Sequence, residues 1–137
     1  MLVGSLLMSA TGTHILESLS LWGELQSDPT KMVYAELFRC YPELESLFVM
    51  DTDGGVRGSM LQQAFECIVD YVGDNELASS LITTSRILHE GYGVPDGIFA
   101  EFFVVIYRTC RLALAQDFTD AMESEWNELL KAFKGLS

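Results

Sequence analysis

Between its turn signals, nearly every segment of this chain repeats its apolar residues every three or four positions, and no run alternates apolar with polar over the length of a strand. Such a chain can bury its apolar stripes only by packing helix on helix. Thr11-Gly12-Thr13 reads as a turn, after which Ile15, Leu19, Trp22 and Leu25 form one stripe of a first helix. Asp28-Pro29 reads as an N-cap followed by proline at the first helical position, where its missing N–H costs nothing. The second helix carries Val33, Tyr34, Leu37 and Phe38 and ends before Pro42. Residues 42–47 suit a short helical turn leading into Phe48, and 51–55 (Asp-Thr-Asp-Gly-Gly) form a loop. A third helix spans about 58–72 with Leu61, Phe65, Ile68 and Val72 on one face, and Gly73-Asp74-Asn75 breaks it. Residues 77–90 are weakly helical, because their serines and threonines prefer caps and turns. Beyond Gly91, Gly93 and Pro95, a strongly apolar helix over 96–115 carries Phe99, Phe102, Phe103 and Ile106 and is buried on most sides. Asp117 or Thr119 can cap a last helix with Met122, Trp126, Leu129, Leu130 and Phe133. The fold class is all-α, with about six to eight helices.

Composition narrows the partners. The 137 residues amount to about one domain, and 49% apolar against 20% charged residues gives a core rather than disorder. Eight Lys+Arg against twenty Asp+Glu leave a net charge of −12, which repels a phosphate backbone and an anionic membrane face. No nucleic acid and no membrane are expected as partners. The opening MLVGSLLMSA falls short of the roughly 20 residues of a membrane span and lacks the basic start of a signal peptide. Cys40, Cys67 and Cys110 are an odd, scattered set without a CxxC, which fits a reducing, cytoplasmic compartment.

The candidates for chemistry are few. Of the two histidines, His14 sits in a first helical turn and His89 ends the polar segment before the glycine-rich corner. The glycines of 53–55 lack the lysine of a phosphate-binding loop, and Asp51-x-Asp53-Gly54 is too short for a calcium loop. All three cysteines lie in apolar helices, which suits buried thiols better than nucleophiles.

The order of landmarks resembles a globin. Tyr34-Ala35-Glu36-Leu37-Phe38-Arg39-Cys40-Tyr41-Pro42-Glu43-Leu44-Glu45-Ser46-Leu47-Phe48 is similar to the stretch of bacterial single-domain globins and flavohaemoglobins in which a helical tyrosine precedes a Leu-Phe pair, Pro-Glu-Leu and a phenylalanine over the haem. His89-x-x-x-Gly93-Val94 resembles that family's proximal histidine and the corner after it, and Trp126 resembles the tryptophan of its last helix. The resemblance spans about residues 14–133, with 1–12 as an N-terminal extension and 13–137 as the globin domain.

The resemblance implies a globin fold around haem b (iron protoporphyrin IX), with His89 as the metal ligand and Phe48 pressed on the porphyrin. Tyr34 would donate a hydrogen bond to the bound gas. Met60 aligns with the distal position and Ala64 with the small residue one turn on; a slip to Leu61, Gln62 or Gln63 stays open. Val94 follows the proximal corner, and Phe99 stands where flavohaemoglobins use a tyrosine to position the histidine. Ser85 replaces the leucine usual one turn before it. Without that tyrosine, reversible binding of O2, with NO or CO as further ligands, is expected over self-contained catalysis. The chain stops soon after Phe133 with no flavin or nicotinamide domain, so NO dioxygenase or peroxidase turnover would draw on a separate reductase. A haem-free or gas-sensing module is the remaining alternative. Leu2, Val3, Leu6, Leu7 and Met8 could pack on the domain or against a second subunit in a homodimer.

Overall fold

In the computed structural model, residues 2–26, 28–73 and 98–136 are described, with side chains over 12–26, 28–73 and 100–134. The protein is all-α. The elements are α1 (Leu2–Leu25), α2 (Thr30–Cys40), a 3₁₀ turn (Pro42–Phe48), α3 (Gly55–Gly73), α4 (Ile98–Leu114), a second 3₁₀ turn (Ala115–Asp117) and α5 (Asp120–Leu136), with no strand among the described residues. The weakly helical segment 77–90 and the corner after it, with Ser85, His89 and Val94, lie outside them. No described helix is long and apolar enough to cross a membrane.

The Thr-Gly-Thr turn expected at 11–13 is absent, because α1 runs through it. Gly12 serves a different purpose there. A Cβ on it would lie 2.8 Å from the Val72 Cβ and closer still to both Val72 methyls, so glycine is what lets α1 cross α3 at this distance. Just beyond, the Glu125 carboxylate of α5 accepts the backbone N–H groups of His14 (2.8 Å) and Ile15 (3.1 Å). The expected stripe is buried at Ile15 and Trp22 and half-buried at Leu19, but Leu25, at the end of the helix, is 64% exposed.

At α2 the N-cap position is held by Pro29, whose side chain makes no capping hydrogen bond, and not by Asp28 as expected, so that Thr30 is the first helical residue. Asp28 accepts the Thr30 N–H (3.1 Å) and hydroxyl (2.5 Å), while the Pro29 carbonyl takes the Val33 N–H at 3.0 Å. Those bonds, the hydroxyl one foremost, hold the Asp28 carboxyl below its usual range. Helix α3 starts three residues before the expected position, at Gly55, for a reason taken up below. At the last helix Thr119, rather than Asp117, is the cap, its hydroxyl accepting the Met122 N–H at 3.1 Å.

The core gathers the inward faces of the five described α-helices: Ile15 and Trp22; Val33, Tyr34 and Leu37; Leu61, Ala64 and Ile68; Phe102, Phe103 and Ile106; Met122, Trp126, Leu129 and Phe133. One buried polar pair is threaded through it. The Trp126 indole N–H donates to Ser18 Oγ (2.9 Å), and the Ser18 hydroxyl donates to the Ile15 carbonyl (2.6 Å). Every polar atom of that pair is thereby satisfied, which lets Ser18 be fully buried without a desolvation penalty.

Candidate functional site

Helix α2 turns Val33, Tyr34 and Leu37 inward, and proline at 42 then forces the chain into a 3₁₀ turn that brings Phe48 back towards them. The result is an aromatic box. The Tyr34 ring lies 5.5 Å from that of Phe48, 5.8 Å from Phe38 and 5.7 Å from Phe102 of α4, all edge-on or tilted. Phe38 and Phe48 meet at 5.7 Å, closing the box on the side of the turn. Such ring pairs add stabilisation beyond their buried area and hold Tyr34 in one orientation.

The Tyr34 hydroxyl inside this box has no hydrogen-bond partner, and it is the one buried side-chain nitrogen or oxygen among the described residues in that position. The residue is 3% exposed. Burial drives its ionisation far above the ordinary tyrosine value, the nearby Arg57 and Asp51 charges opposing and reinforcing that shift respectively. The group is therefore a neutral phenol, able to donate one hydrogen bond and accept others. Burying a hydroxyl without a partner is unfavourable by about 1–3 kcal/mol, so an acceptor brought into the box would recover that energy.

Asp51 fixes the wall on the α3 side. Its carboxylate accepts the N–H groups of Val56 (3.0 Å) and Arg57 (2.9 Å) and the Arg57 Nε–H (3.0 Å), while its carbonyl accepts the Arg57 Nη2–H (2.8 Å). The Val56 amide first, and the Arg57 bonds with it, hold the Asp51 carboxyl below its usual range. These bonds satisfy amides at the head of α3, and they explain why the helix begins at Gly55. A cavity of about 430 Å3 opens beside them, lined by Tyr34, Phe38, Lys31, Glu45, Asp53 and Arg57 among others.

Along α3, Leu61 (2% exposed) and Ala64 (5% exposed) belong to the same buried core as Tyr34, and Met60 is half-buried. Gln62 and Gln63 are exposed, and Gln62 donates to Glu66 at 3.3 Å. Phe99 lies in the first turn of α4, with its side chain outside the described residues, as are His89 and Val94 altogether. His14 is at the surface, its ring 3.3 Å from Glu17. Among the described residues no cluster of His, Cys, Asp or Glu could hold a metal ion by itself.

Three parts of this site were given no site role from the sequence: the Phe38 and Phe102 rings of the box, and the Asp51–Arg57 tie. Phe38 carried a signal, since it stands one helical turn after Tyr34. Comparison with protein-family models, with characterised proteins and with solved structures finds no match for the chain.

Proposed function

We propose that the chain is a haem-binding globin of the bacterial single-domain type that reversibly binds a diatomic gas, O2 foremost, with NO and CO as further ligands. The observation that carries the reading is the buried Tyr34 hydroxyl, an orphaned donor held in an apolar, aromatic box. A haem is a large apolar disc that requires an apolar crevice and an axial ligand from the protein. Bound there, it would supply the iron to which the gas binds. His89 would be the axial ligand, Phe48 would pack on the ring, and Val94 and Phe99 would flank the histidine's side. Tyr34, neutral because burial opposes its ionisation, would donate a hydrogen bond to the gas. Leu61 and Ala64 would offer it only apolar contact, and with Gln62 and Gln63 exposed Tyr34 is left as the distal donor. That apolar distal wall favours reversible binding over NO dioxygenase or peroxidase turnover fed by a separate reductase, which would use the same site.

The test is an absorption spectrum of the purified protein with added haemin, oxidised, reduced, and reduced with CO. A sharp Soret band that shifts on CO addition, and is lost in His89→Ala, is the expected result. A spectrum of free haemin from the wild-type protein refutes the reading.

A further inference from the structure

A groove between α1 and α3 adjoins the cavity beside Tyr34, with Asp28, Thr30 and Gly58 common to both linings, and Leu61 also belongs to the proposed gas site. It encloses about 550 Å3, with Leu19, Trp22, Phe65 and Val69 among its apolar lining and Asp28 at the α2 side. A second hollow of about 360 Å3 shares Gln62, Phe65 and Val69 with it and adds Glu66 and Asp70. Trp22 and Phe65 meet edge to face at 5.9 Å, and the indole N–H is tied to Gln26 Oε1 at 3.3 Å, so these rings are fixed. Val69 is 49% exposed. Two lining residues, Gly23 and Gly58, have no atom within 4 Å of where a Cβ would stand, which leaves room for another molecule's side chains.

Among the described residues the charged groups lining these two hollows are Asp28, Glu66 and Asp70, all acidic, while Lys31 and Arg57 stand in the adjoining cavity beyond Asp28 and Gly58. A second copy of a chain with net charge −12 would be repelled, as would an anionic lipid surface. From Gly58 to Asp70 the helix rises about 18 Å, enough to lie along some three turns of another helix. We infer that this groove docks a cationic amphipathic helix of a protein partner, with apolar anchors at i, i+3 or i+4 and i+7 in the groove and lysines or arginines facing Asp28, Glu66 and Asp70.

The probe is a fluorescent helical peptide of about twelve residues with leucines at those anchor positions and lysines elsewhere, followed by anisotropy at about 0.15 M salt. Gly23→Leu fills the groove from a position with free space and favours the helix, so the variant folds. It should weaken binding about tenfold or more, as loss of a central anchor site does. Glu66→Lys should weaken it far more than Asp117→Lys, which makes the same change in net charge in the α4–α5 turn. Equal effects of the two lysine variants would reduce the binding to general charge attraction and overturn the inference. So would unchanged affinity in Gly23→Leu, no binding of the peptide by the wild-type protein, or equal binding of a peptide with glutamates in place of the lysines. None of these outcomes depends on haem, so a failure here leaves the gas-binding reading untouched.

Discussion

Replacing Tyr34 by Phe removes one oxygen and keeps the ring that touches Phe38, Phe48 and Phe102. Because that oxygen has no partner, the haem-free protein should gain stability. A buried unsatisfied hydroxyl costs about 1–3 kcal/mol. The void left behind, about 15 Å3, takes back about 0.4 kcal/mol at roughly 24 cal/mol per Å3. The net gain is about 0.6–2.6 kcal/mol, or a rise in melting midpoint of about 2–9 °C for a domain of this size. Urea and thermal denaturation of the two haem-free proteins measure it directly. In the haem-loaded protein the same substitution should speed O2 dissociation about tenfold, the effect of losing one hydrogen bond of about 1.4 kcal/mol. Equal or lower stability of the variant would show that the hydroxyl is satisfied in solution and refute the orphaned-donor argument. A gain in stability with an unaltered O2 off-rate would leave the orphan standing but remove Tyr34 from gas binding.

Two glycines of α1 should respond in opposite ways to alanine. Gly23→Ala has open space and should stabilise by about 1 kcal/mol, whereas Gly12→Ala meets Val72 and should destabilise, overpacking of about 1–3 kcal/mol outweighing that gain. Val72→Ala should relieve the Gly12→Ala defect in a double-mutant cycle; a stabilising Gly12→Ala refutes the close crossing. Glu36 is bound by Arg39 at 2.7 Å and by Arg108 at 3.3 Å, and the Arg39 bond foremost lowers its pKa to about 2 from the ordinary 4.5. The folded state therefore favours the ionised form. Glu36→Gln should be less stable than wild type above pH 4.5, with the gap closing as pH falls through about 2; denaturation midpoints across that range check it, and a pH-independent gap contradicts it. Burial pushes the Cys67 thiol up to about 11 and that of Cys110 up to about 12. Only Cys40 should react with a disulfide reagent in the native protein near pH 8, and all three in denaturant.

Periodicity made much of the helical framework legible. It picked out Tyr34 and Leu37, Leu61 and Ile68, Phe103 and Ile106, and Trp126 and Phe133 as inward residues, because a face buried against other helices must be apolar at that spacing. Glycine was ambiguous. At Gly12 it marks a close helix crossing and at Gly55 the first turn of a helix, yet both carry the composition of a turn. The head of α3 was hidden for a related reason: Asp51 reaches forward to amides five and six residues away, outside the usual capping spacing. Ser18 and the Tyr34 hydroxyl were illegible in kind. A sequence names a polar group but not whether a partner will meet it, and here Trp126 meets one while nothing meets the other.

The bonds from α5 to α1 also set the order in which this chain can become a protein. Glu125 reaches amides 110 and 111 positions earlier, and Trp126 reaches a hydroxyl 108 positions earlier. A nascent chain that has emerged only as far as α4 therefore holds Ser18 and the His14 and Ile15 amides with none of these ties. These ties form only after α5 has been made, and until then the apolar faces of the described helices before it lack their partner.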